Sequence, residues 1–170
     1  MLSLARFSQA FLVLKANDAG LGAAFVPIML VFMHAVYAAA AYPCGALADR
    51  IDNRLQLGVG AVVLVCADVV LARADVVWMA ALGAGLWGLQ LAVTQGLLSA
   101  SVANAAPDTL RGTAFGIYEL AVGTSTFLAS AGAGALWMVG GPELTFAVSA
   151  AIATMSVLLL SIRRYMDPKA

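Results

Sequence analysis

The chain reads as long apolar stretches separated by short polar interruptions. No Asp, Glu, Lys or Arg occurs in 19–48, 76–107, 120–142 or 144–162. Each window is long enough for the roughly 20 apolar residues that carry a helix across a bilayer. A fifth stretch, 55–72, is interrupted only by Asp68, and an N-terminal one contains Arg6 and closes at Lys15. Six helices are therefore predicted, at 1–15, 22–46, 55–72, 76–103, 112–138 and 143–164, in a single domain over 1–170. No stretch alternates polar and apolar residues at period two, which argues against membrane strands. The predicted fold class is all-α, a polytopic membrane helical bundle.

Turn residues fall where the windows end. Asn17-Asp18-Ala19-Gly20, Asp49 to Arg54, Arg73-Ala74-Asp75, Pro107-Asp108 and Gly140-Gly141-Pro142-Glu143 separate the predicted helices. Gly ends helices through its backbone freedom and Pro through its missing N–H. None of these connections has room for a soluble domain.

Composition narrows the class. Of 170 residues 63% are hydrophobic and 11% charged, with a mean hydropathy of +0.96. A soluble domain carries about 25% charged residues, and disorder requires low hydrophobicity, so both classes are excluded. Nine Lys+Arg balance nine Asp+Glu, which leaves no basic surplus for nucleic acid. Cys44 and Cys66 lack CxxC spacing and His34 is the single histidine, so no metal site or cofactor is expected. Neither H-E-x-x-H, G-x-S-x-G nor a P-loop occurs, and no catalytic residue is assigned. An enzyme is not expected.

Positive charges set the expected orientation. Arg50, Arg54, Arg111, Arg163, Arg164 and Lys169 fall on one side of a six-helix reading, against Lys15 and Arg73 on the other. Lys and Arg accumulate in cytoplasmic loops, so both termini are expected in the cytoplasm, in the cell membrane. The N-terminal stretch is too short for a signal-peptide core and reads as a spanning helix lacking its N-terminal part.

Charges inside the membrane are costly and point to function. At 1.5 Å per residue, Arg6 lies about 13 Å from Lys15 and Glu119 about 12 Å from Arg111, so the two share a depth and are expected to pair. A structural pair, a proton- or substrate-coupled pair and lipid exposure are the alternatives. Asp68, five residues from Arg73, is expected to snorkel to the outer interface in a structural role. In the fourth helix Trp87, Gln90, Thr94 and Ser101 share one face, with Gln95 and Ser99 on another. Such a stripe either bonds a neighbouring helix or lines a wet cavity. His34 and Tyr37 form a smaller polar pair, a further transport or coupling candidate, with a packed, hydrogen-bonded histidine and a proton relay as the alternatives. Gly123, Thr126, Ser130 and Gly134 form a small-residue ridge beside Glu119, suited to close helix crossing.

Two stretches carry a family resemblance. Gly45-Ala46-Leu47-Ala48-Asp49-Arg50-Ile51-Asp52-Asn53-Arg54 resembles the G-x-L-A-D-R-x-G-R-[RK] loop of the major facilitator superfamily, with Asp52 and Asn53 departing from it. Pro107 to Tyr118 resembles the P-x-x-x-R-G-x-A-x-G-x-Y start of that family's eleventh helix. The resemblance implies the C-terminal half of such a transporter, helices seven to twelve with the seventh truncated, built as a 3+3 inverted repeat. It also implies that the Trp87–Gln90–Thr94 face lines the central path. Gly45, Asp49, Arg50, Arg54 and Arg111 would then form a cytoplasmic gate. The expected function is secondary transport of a small solute by alternating access, coupled to protons. The alternatives are a non-transporting subunit or inactive remnant and, last, an intramembrane enzyme. The expected partners are the lipid bilayer, an N-terminal six-helix half in the same chain or a separate subunit, a small solute and protons, but no nucleic acid.

Overall fold

The computed structural model describes residues 5–48 and 51–166, with side chains throughout except at 48 and 160–166. Helices α1 (Ala10–Asp18), α2 (Val26–Ala48), α3 (Asn53–Ala72), α4 (Val77–Ala105) and α5 (Arg111–Met166) follow in order, with a 3-10 turn at Asp108–Leu110 before the last. No strand occurs among the described residues. Four segments are long and apolar enough to cross a membrane: Val26–Leu47, Asn53–Ala72, Val77–Ala105 and Asp108–Leu159.

At the N-terminal end this differs from the expected helices, and the last segment is two helices joined at a kink. As one straight rod, the 56 residues of α5 would run about 84 Å, nearly three bilayer cores. Gly141 divides it, with φ 68° and ψ −164°, a backbone conformation open to glycine alone. Pro142 then starts the second arm, where its missing N–H costs nothing. The arms fold back on one another: the rings of Trp137 and Phe146, nine residues apart, lie 6.3 Å centre to centre. The turn predicted at 140–143 thus separates two helices and is narrowed to the one non-helical residue Gly141.

The N-terminal helix is also not the continuous span expected over 1–15. Ala5 is helical, Arg6, Phe7 and Ser8 are not, and α1 begins at Ala10. Local and distant bonds hold this break open. The Ser8 hydroxyl accepts from the Ala10 N–H at 3.3 Å, and the Ser8 N–H donates to Ser130 Oγ of α5 at 2.9 Å. Phe7 anchors the break in the core, its ring 5.1 Å from Phe11, 5.6 Å from Trp87 and 5.4 Å from Phe146. A backbone group bonded elsewhere is lost to the helix ladder, and sequence periodicity does not reveal it.

Helix α4 is the most buried of the four long segments and α2 the least. Of the neighbours of α4, α3 runs antiparallel to it and α2 runs in the same direction. Gly60 of α3 faces Thr94 and Leu71 faces Gly83, while Gly88 lies against the Met33 carbonyl of α2. A Cβ at Gly88 would strike backbone, so glycine there sets how closely α2 and α4 approach. Outward faces are apolar: Val31, Trp78, Leu120, Phe127, Met138 and Val139 are all more than 60% exposed. So much apolar surface suits lipid rather than water.

Candidate functional site

The break in the first helix forms one wall of a cavity of about 290 Å³. Arg6, Phe7, Ser8 and Gln9 line that wall. Trp87, Leu91, Gln95 and Leu98 of α4 supply the second, recurring every three or four residues on one helical face. Tyr118, Glu119, Val122 and Thr126, from the first arm of α5, supply the third. A half-buried guanidinium, an exposed carboxylate, an amide, a phenol and an indole thus meet across a space lined about equally by polar and apolar groups.

Arg6 and Glu119 share this cavity, but the expected ion pair is not formed. Arg6 Nη2 donates to Gln95 Oε1 at 3.2 Å. Among the described residues the one ion pair joins Arg111 to Asp108 at 2.9 Å, on the exposed start of α5. Equal depth along two helices does not fix the angle between them. The α4 amide lies within reach of the guanidinium and takes the bond.

The polar stripe divides. Trp87 reaches the cavity, whereas Gln90 and Thr94 are wholly buried where α4 meets α3. There Gln90 Nε2 donates to Thr94 Oγ1 at 3.1 Å, and the Thr94 hydroxyl donates to the Gln90 carbonyl at 2.9 Å. The Gln90 Oε1 has no partner among the described residues. Gln95, set on another face in the sequence reading, lies on the cavity wall instead. Ser101 is exposed and donates to the Leu97 carbonyl at 2.8 Å. Gln56 of α3, which sequence reasoning passed over, is buried and donates to the Val93 carbonyl at 2.9 Å.

Asp68 does not snorkel. It is fully buried, its Oδ1 accepting from the Trp87 indole N–H at 3.2 Å and its Oδ2 meeting the Ser149 hydroxyl. Position 68 belongs to the inward stripe Ala61, Leu64, Ala67, Asp68 and Leu71 of α3. Distance from the helix end pointed to the interface, but helical phase points inward.

The remaining candidates are dispersed. His34 is exposed and donates through Nδ1 to its own helix, at Leu30 O, 2.8 Å away, while Tyr37 packs half-buried against the core. Gly45 faces open space. The Arg54 backbone N–H donates to the Asp52 carboxylate at 3.1 Å, which caps α3. Asp49 and Arg50 lie outside the described residues.

Helices with lipid-suited outer faces around an internal polar cavity are the build of a multi-pass membrane protein. The Major Facilitator Superfamily matches the chain from residue 1 to 170, and the chain belongs to that family. It is similar to an uncharacterized MFS-type transporter of Methanocaldococcus jannaschii, 30% identical over 166 residues, which cover 94% of this chain and 42% of the relative. The chain therefore spans less than half the length of that curated relative. Both matches support a role in membrane transport.

Proposed function

We propose that this chain is the C-terminal half of a secondary transporter that moves a small solute by alternating access, coupled to protons. In this reading six crossings form a 3+3 inverted repeat. Both termini are cytoplasmic, and a second six-helix half closes the cavity. The observation that carries the proposal is the cavity between the broken first helix, α4 and α5, where Arg6 and Glu119 face a common space. A cation and a carboxylate there can bind a charged solute or exchange a proton, and the unwound backbone at Arg6 to Ser8 suits a site built where a helix is discontinuous. Gly45, Asp49, Arg50, Arg54 and Arg111 close the cytoplasmic side, so Asp49→Asn is expected to keep insertion and lower uptake.

The experiment reconstitutes the full-length protein in vesicles with an internal pH dye and screens a panel of sugars, amino acids, organic acids and drug-like cations. A solute that drives proton movement in wild type but not in Glu119→Gln supports the reading. Uptake without proton movement removes the coupling. Movement of no solute favours a non-transporting subunit.

A further inference from the structure

A second polar cluster lies behind Trp87, away from the cavity, with the Asp68 carboxyl at its centre. Asp68 is held between α3, α4 and the second arm of α5, wholly out of solvent. One carboxyl oxygen accepts from the Trp87 indole, and the other meets Ser149 Oγ. The same Ser149 oxygen lies 2.8 Å from the carbonyl of Ala5, the residue that precedes the break. Because the helix stops there, that carbonyl has lost its helical donor and takes the serine hydroxyl in its place. No charged group on the surrounding elements, the buried Lys15 of α1 included, pairs with Asp68 among the described residues. Arg6 bonds Gln95, Glu119 lines the cavity, and Arg73 and Glu143 are exposed.

Counting hydrogens decides the chemistry. A serine hydroxyl has one hydrogen, while a backbone carbonyl and an ionised carboxylate can only accept. If Asp68 were ionised, the single Ser149 hydrogen would serve one acceptor and leave two oxygens facing each other without a hydrogen between them. Two acceptors pressed together in a dry core are costly. One added proton resolves the conflict. Asp68 Oδ2–H donates to Ser149 Oγ, the Ser149 hydrogen goes to the Ala5 carbonyl, and Oδ1 keeps the Trp87 N–H.

We propose that Asp68 is a proton-binding site whose bound proton maintains the Ser149–Ala5 link and so ties protonation to the break in the first helix. When that proton leaves, the carboxylate takes the Ser149 hydrogen and the Ala5 carbonyl loses its donor. The break then keeps the Ser8–Ser130 and Arg6–Gln95 bonds and the Phe7 ring contacts but loses its bond at Ala5. Trp87 belongs to both clusters, so the cavity wall senses the change directly. The proposal rests on hydrogen-bond geometry and holds whether or not the protein transports.

The test is infrared spectroscopy of the full-length protein in lipid vesicles at neutral pH, read at the carbonyl stretch of protonated carboxyl groups. A band present in wild type and lost in Asp68→Asn is expected, since asparagine keeps a donor for Ser149 and an acceptor for Trp87. Ser149→Ala serves as a second variant should Asp68→Asn not fold, and it is expected to shift that band without removing it. An Asp68→Asn spectrum with the band unchanged, or a Ser149→Ala spectrum with no shift, overturns the site. Hydrogen exchange at the amides of residues 6–9, corrected for intrinsic rate, reads the linkage. Protection is expected to fall with rising pH in wild type and to stay level in Asp68→Asn. Equal pH dependence in both overturns the coupling to the break.

Discussion

At the scale of single residues, the cavity is governed by which polar group reaches which. Arg6 bonds the neutral amide of Gln95 and not the carboxylate of Glu119, so its positive charge stays available within the cavity. A hydrogen bond open to solvent contributes about 0.5–1.5 kcal/mol, so Gln95→Leu is expected to destabilise the fold by about that much. Glu119→Gln, which breaks no bond to Arg6, is expected to change stability by less than about 0.5 kcal/mol. Denaturation of the purified protein in detergent checks both values. Losses of equal size would mean that Arg6 leans on Glu119 after all. Sequence alone marked Arg6 and Glu119 because charge in a membrane is rare, and it placed them at one depth. It did not reveal the partner, because Gln95 is uncharged and common, and its role depends on how α4 is rotated. Trp87, Leu91 and Gln95 are nonetheless four apart, and that spacing, followed from Trp87, would have led to the cavity face.

At the scale of elements, small residues and breaks set the positions of the helices. Gly88 admits the Met33 carbonyl, so Gly88→Val must push α2 and α4 apart. An overpacked contact of this kind costs about 1–3 kcal/mol, read as a lower unfolding temperature or reduced folded yield. Gly96→Ala, where a Cβ meets open space in this structure, is the control and is expected to change little. Gly141 has a positive φ and no neighbour for a Cβ, so Gly141→Ala tests backbone strain alone, expected at about 1–3 kcal/mol. The long apolar helices were legible because a bilayer demands charge-free windows of known length. The break at Arg6 to Ser8 was not, since hydroxyls from both arms of α5, Ser130 and Ser149, secure its two sides from more than 120 residues away. The inward phase of Asp68 was legible in the spacing of Leu64, Asp68 and Leu71, but the nearby Arg73 drew attention to the interface.

At the scale of the whole molecule, membership in the Major Facilitator Superfamily and a polar cavity among lipid-suited helices give the transport reading its form. The orientation proposed for it has a direct check. Single cysteines at 18 and 75 are expected to react with an impermeant thiol reagent from outside the cell, and those at 53 and 108 only from inside. The reverse pattern would invert the topology. The cavity itself is tested most directly by the same chemistry within the membrane, after Cys44 and Cys66 have been replaced by serine. Single cysteines at Leu91, Gln95, Leu98 and Val122 are compared with cysteines at Gln90 and Thr94, using a small water-soluble thiol reagent on the full-length protein in membranes. Labelling of the first four with protection of the last two is the predicted result; labelling at Gln90 and Thr94 with none at Gln95 and Val122 would contradict it and put the aqueous path on the opposite face of α4.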